Sequence, residues 1–160
     1  MADAPLGRLE DAEAIRQLKY AYFRLLDTKR FDELGELLTE DATSSFQSGE
    51  LSQQGRAAIV AFLKDSIGGS DIVTMHTGHH PEITFKGETE AEGTWYLEDR
   101  VFVPGFDFEI HGTALYRDEY VKLGGAWRIS HTGYERIFER KLKPSTGEQR
   151  SFESRFAPEA

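Results

Sequence analysis

From Thr89 to Val103 the chain alternates between two sets of side chains. Ala91, Gly93, Trp95, Leu97, Asp99, Val101 and Val103 share one face, and Glu92, Thr94, Tyr96, Glu98, Arg100 and Phe102 share the other. A strand this long with one apolar face needs a second layer to cover it. It also has neighbours. Ile72–His79 and Glu82–Phe85 read as two strands separated by Pro81, and Lys86-Gly87-Glu88 reads as a turn. Pro104-Gly105 ends the long strand. Asp107–Leu123 and Ala126–Glu139 follow as further long strands, joined by the hairpin signal Gly124-Gly125.

The covering layer comes first in the chain. Ile15, Leu18, Tyr22, Leu25 and Leu26 recur at helical spacing, with Arg16, Gln17, Lys19 and Arg24 on the other face. This predicts a helix from a cap at Asp11 to about Asp27. A second short helix places Phe31, Leu34, Leu37 and Leu38 on one side. Thr43–Phe46 and Leu51–Gln53 form a short hairpin. A third helix opens at Gly55-Arg56, buries Ile59, Phe62, Leu63 and Ile67, and stops at Gly68-Gly69. Helices followed by long hairpin-joined strands predict an α+β fold. The expected form is a cone-shaped α+β barrel, its helices packed on a strongly curved antiparallel or mixed sheet that encloses a pocket. The expected division is a flexible N-terminus over 1–10, the domain over 11–139, and a charged tail over 140–160 that is partly disordered or lies over a neighbour.

Composition narrows the function. Eleven Phe, six Tyr and two Trp supply walls for an apolar cavity. A net charge of −9 argues against nucleic-acid partners and against docking on an anionic membrane. With no cysteine there is no disulfide, thiolate nucleophile or cysteine-ligated metal. The opening MADAPLGRLEDAEA lacks the plan of a signal peptide, and no apolar run reaches the ~20 residues of a membrane span. A cytoplasmic location is expected.

Asp99 is the one charged residue on its strand's mostly apolar face. An inward carboxylate needs a partner, because its desolvation costs several kcal/mol. Two partners are open: a structural ion pair with an arginine, or His76. On the strand from Ile72, His76 shares a face with Ile72, Thr74, Gly78 and His80. A carboxylate on one ring nitrogen would fix the tautomer and leave the other as a base near neutral pH. A satisfied core histidine is the plainer reading. His76 and His79 face opposite ways, so no metal site is expected. Asp27 falls at a helix C-terminus, where the dipole disfavours an anion. It lies about 140° around the helix from Tyr22, so periodicity does not join the two. His111 alternates with Glu109 and Thr113, and Arg136 shares a face with Tyr134 and Phe138. Tyr96, Phe102 and Tyr134 are placed on the outer face of the sheet.

The pieces YFRLLDTKRFDEL, MHTGHHPEIT, EGTWYLEDR and TGYERI, in this order, resemble one family. It is the SnoaL-like branch of the cone-shaped superfamily that includes nuclear transport factor 2, ketosteroid isomerase and scytalone dehydratase. Within it the chain is most similar to the bile acid 7α-dehydratases. The resemblance implies Tyr22, Asp27, His76 and Asp99 as catalytic residues, with Asp99 holding His76 and Asp27 associated with Tyr22. Phe46, Trp95, His111 and Arg136 would line the substrate pocket. Phe46 and His111 depart from the residues usual there, so a steroid is not implied. The expected activity is cofactor-independent loss of water from an apolar hydroxy-ketone of steroid or polyketide type. Isomerisation or aldol-type cyclisation on the same frame is one alternative, and a non-catalytic ligand-binding module is the other. The implied partner is an apolar small molecule, free or as a coenzyme A ester. A homo-oligomer is expected, a trimer ahead of a dimer.

Overall fold

The computed structural model describes the backbone of residues 3–154 and the side chains of residues 6–151. Three helices, α1 (Asp3–Asp27), α2 (Phe31–Gly35) and α3 (Arg56–Ile67), lie against one seven-stranded sheet. Its strands are β1 (Leu38–Phe46), β2 (Leu51–Gln54), β3 (Val73–Phe85), β4 (Glu90–Val103), β5 (Phe108–Leu123), β6 (Ala126–Lys143) and β7 (Glu148–Ser154). They run in the order β2-β1-β6-β5-β4-β3, with β7 also paired to β6. Among the described strands, only β1 and β6 pair in parallel. The sheet is open and curled, and the helices close its concave face, as the α+β expectation requires.

Bulges curl the sheet and decide which side chains face inward. Opposite β5, Ser130 and Ile137 of β6 each stand unpaired. Each extra residue reverses the alternation. Thr132, Tyr134 and Arg136 therefore face inward, and beyond the second bulge Glu139 does too, while Phe138 turns outward against His111. Placing Tyr134 on the outer face, and Phe138 beside Arg136, followed from uninterrupted alternation that β6 does not keep. On β3 the two expected strands are one. The register shifts between His79 and Glu82, where His80 takes a left-handed φ of 49° before Pro81.

Both predicted ends differ. The segment 3–10 is helical, secured where Arg8 donates to the Gly87 carbonyl at 2.7 Å and lies over the Phe85 ring. Beyond residue 139, β6 continues to Lys143, turns at Pro144–Gly147 and returns as β7. Asp107 holds that turn by accepting from the Ser145 amide at 2.9 Å. The rest of the expected tail, 155–160, lies outside the described residues.

The inner stripe of α1 runs Ile15, Lys19, Tyr22, Leu26, all essentially inaccessible. Lys19 thus sits in the core, not on the outer face. The helix ends in a Schellman turn: Arg30 N–H donates to Leu25 and Lys29 N–H to Leu26, with Lys29 at φ 59° in the place glycine usually takes. The Lys29 ammonium then binds the carbonyls of Gly69 and, at 2.6 Å, Ile72. That tie fixes the end of α1 against the start of β3.

Candidate active site

A cavity of about 240 Å³ opens between the concave sheet, α1 and α3. Leu26, Phe46, Phe62, Ile67, Val101 and Ile110 form its apolar wall. Its polar groups are Tyr22, Tyr116, Tyr134, His76, Asp99, Arg136 and Glu139, with Gln47 and Ser66. Phe46, in the cavity lining, lies face to face with Phe62 and against Tyr134.

His76 and Asp99 are cross-strand partners in register, yet they do not bond to each other. The carboxylate on His76 is Asp27. Its Oδ1 lies 2.6 Å from His76 Nδ1, its Oδ2 accepts the His76 amide at 2.8 Å, and the Thr74 hydroxyl donates to Oδ1 at 2.9 Å. The physical reason is local. As the last helical residue of α1, Asp27 faces an unfavourable dipole end, and three donors from β3 offset it. The Schellman turn sets it level with Thr74 and His76. Accepting from Nδ1 puts that nitrogen's proton toward Asp27 and leaves Nε2 as the ring's free nitrogen. The Phe23 ring lies parallel to the imidazole with centroids 6.5 Å apart. Gly78 makes room for that ring: a Cβ there would come within 2.4 Å of it.

Asp99 takes the other partner that an inward carboxylate allows, an arginine. Arg136 forms a two-pronged pair with it, Nη1 to Oδ1 and Nη2 to Oδ2, the latter at 2.8 Å. The guanidinium crosses β5 at Gly112, where a Cβ would sit 2.8 Å from Nη1. Burial works against the charge on Arg136, but the Asp99 pairing outweighs it and holds the guanidinium's pKa above its usual value. Glu139 lies 3.3 Å from Arg136 Nε and 3.6 Å from the Lys141 ammonium. Arg136 is thus hydrogen-bonded to Asp99 on one edge and faces Glu139 as an ion pair, without a hydrogen bond, on the other.

Tyr22 is fully buried at the cavity wall, its hydroxyl directed at those of Tyr116 and Thr132 but outside ordinary hydrogen-bond geometry with either. Burial, reinforced by the Asp118 carboxylate, pushes its ionisation well above the usual range, so it stays a protonated donor. It does not contact Asp27, whose two oxygens are taken by β3.

Two expected pocket residues lie elsewhere. Trp95 is inaccessible under α1, its ring edge-on to Tyr20 and its Nε1–H donating to the Tyr120 hydroxyl at 2.9 Å. His111 is on the convex face by strand parity, between Glu98 at 3.1 Å and Arg140 at 2.8 Å. Lys19, Tyr116 and Glu139 were not singled out in the sequence. The spacing of Lys19 from Ile15 and Tyr22 was the available signal for the first.

Residues 7–133 match the SnoaL-like domain family, and the chain belongs to that family. Its fold is that of the NTF2-like proteins. A protein provisionally called scytalone dehydratase from Novosphingobium aromaticivorans superposes with a TM-score of 0.78 at 22% identity, over 99% of this chain and 100% of that one. The LinA-type3 hexachlorocyclohexane dehydrochlorinase of Novosphingobium barchaimii gives 0.74 at 17%, over 98% and 100%. An NTF2-like protein with a cystatin-like fold, also from N. aromaticivorans, gives 0.70 at 24%, over 84% and 86%.

Proposed function

We propose that this protein is a lyase that removes water from an uncharged, apolar hydroxy-ketone. The observation that carries the reading is the Asp27–His76 pair, with the imidazole in the wall of an otherwise largely apolar cavity. His76 Nε2 takes the proton from the carbon next to the substrate carbonyl. The electron pair passes to the carbonyl oxygen, where Tyr22 donates a hydrogen bond to the growing enolate charge. Asp27, accepting from Nδ1, steadies the imidazolium. As the enolate collapses, the C–O bond to the neighbouring hydroxyl breaks. That hydroxyl leaves as water with the proton from His76, and the product is the conjugated enone.

The names of two structural neighbours, a dehydratase and a dehydrochlorinase, describe eliminations and support this class. The cavity lies below the usual size range of ligand pockets, which suits a skeleton of one to three rings. Asp99 and Glu139 offset the charge of Arg136, the one Lys or Arg among the described cavity-lining residues, which disfavours an anionic substrate. A coenzyme A handle would stay outside the cavity.

The test is a screen of fused-ring β-hydroxy-ketones for mass loss of water. His76→Gln is expected to lower turnover about 10²–10⁴-fold, and Asp27→Asn to lower it strongly, with binding kept. A product of unchanged mass would point to isomerisation. Turnover that survives both substitutions contradicts the mechanism.

A further inference from the structure

Lys19 is the one cation among the inaccessible side chains of the described core. Its ammonium forms an ion pair with Asp118 Oδ2 at 2.8 Å and lies 3.5 Å from the Thr132 hydroxyl. Its remaining side faces a cage of three rings: Tyr116 at 3.6 Å, Tyr22 at 4.5 Å and Phe23 at 4.9 Å from their centroids. Asp118 is itself held by Thr132 at 2.7 Å and Tyr120 at 2.8 Å. Tyr120 in turn accepts from Trp95.

Stability alone does not account for this pair. Burial disfavours the lysine's charge and lowers its pKa, and a buried ion pair is on average no more stabilising than apolar side chains of equal volume. A methionine would fill the same stripe of α1. What an apolar side chain cannot do is place a positive charge against the faces of Tyr22 and Tyr116, the two phenols that α1 and β5 present to the cavity. A cation on a ring face stabilises negative charge on that ring and its oxygen. Lys19 is walled off from the cavity by those rings, so it acts through them.

We propose that Lys19, held by Asp118, is a positioning residue that makes Tyr22 and Tyr116 stronger hydrogen-bond donors to an oxyanion in the cavity. The inference rests on the reading of Tyr22 as the enolate donor. A second link follows from the cage. Phe23, its third ring, lies parallel to His76, so the same ammonium braces the wall that carries the base.

The probe is 6-cyano-2-naphthol, a fused-ring alcohol whose neutral and ionised forms emit differently. Dissociation constants for both forms come from titrations on either side of the probe's own ionisation. Their ratio, neutral over ionised, measures how far the cavity favours an oxyanion. Lys19→Met is expected to lower the ratio about tenfold. Lys19→Gln should do the same, because its amide reaches toward Asp118 without bringing a charge to the rings. It carries the test where Lys19→Met does not fold. A purely structural role would lower the melting temperature and weaken both forms alike. An unchanged ratio in both variants therefore overturns the proposal. Tyr22→Phe separates the underlying reading. A ratio lowered by Tyr22→Phe but not by the other two leaves the donor role standing and removes Lys19 from it. A ratio lowered by the other two but not by Tyr22→Phe removes Tyr22 and leaves Lys19 acting through Tyr116. Failure of the unaltered protein to bind either form overturns the cavity reading on which both depend.

Discussion

Removing Arg136 tests whether the Asp99 pair belongs to the scaffold. Asp99 and Arg136 are 4% and 15% exposed in their side chains, so solvent screens their attraction little. In Arg136→Met the Asp99 carboxylate is left on an apolar strand face with no other ion-pair partner among the described residues. Breaking a buried pair in this way costs about 3–5 kcal/mol. The lower end is expected here, because Arg136 lines the cavity and keeps 15% of its side chain exposed. About 3 kcal/mol is a large share of the ~5–15 kcal/mol that hold a domain together. It corresponds to a fall in melting temperature of about 6–12 °C for a chain of this size. Asp99→Asn/Arg136→Met removes both charges and should recover about 2 kcal/mol of the summed single losses. Urea unfolding at pH 7 of the four proteins gives the cycle. The Arg136→Met deficit should also shrink as pH falls, since a proton on the stranded carboxyl removes the buried charge. Strictly additive losses, or a single loss below about 1 kcal/mol, would mean that Arg136 does not hold the Asp99 charge in the fold.

Three further outcomes follow from the same geometry. Asp99→Asn should leave the Asp27–His76 pair intact, so turnover in the hydroxy-ketone screen should fall far less than in Asp27→Asn; equal losses would restore Asp99 as the histidine's partner. Gly78→Ala sets a methyl 2.4 Å from the Phe23 ring, which should cost about 1–3 kcal/mol by overpacking, read by thermal denaturation; a neutral result would mean Phe23 moves freely. Tyr22, Tyr116 and Tyr120 all have ionisations raised above the ordinary 10.0 by burial first and, for Tyr22 and Tyr120, next by the Asp118 carboxylate. Above pH 10 the unfolded chain loses these protons and the folded one keeps them, so stability falls with rising pH by about 1.4 kcal/mol per unit for each phenol. Tyr22→Phe should make that alkaline limb shallower by one such share, measured by urea midpoints from about pH 10 upward; parallel limbs would contradict it. Lys19 pulls the other way, adding stability with pH only up to its ordinary 10.5, and it is common to both proteins.

Much of this architecture was legible in the pattern of side chains. Strict alternation in β4 put Trp95, Leu97 and Asp99 inward, where they are. It also limited Asp99 to two partners, one of which it has. The helical stripe of α1 was legible but for Lys19, whose charge argued against the core while its position three residues before Tyr22 argued for it. Long-range geometry was not legible. No local signal marks Ser130 or Ile137 as a bulged residue, yet those two positions decide that Tyr134, Arg136 and Glu139 face the cavity. The pairing of Asp27 with His76 depends on how α1 ends. It ends in a left-handed turn at a lysine, where composition predicts glycine. The helix dipole made Asp27 look misplaced, and that oddity was the trace of its partners on β3.

The proposed base depends on one hydrogen bond, from His76 Nδ1 to Asp27. Long-range ¹H–¹⁵N NMR of histidine-labelled protein above pH 7 reports which ring nitrogen carries the proton. The predicted spectrum shows His76 with its proton on Nδ1 and a bare Nε2, a preference lost in Asp27→Asn. A proton on Nε2 in the unaltered protein would leave the cavity without its base and contradict the account.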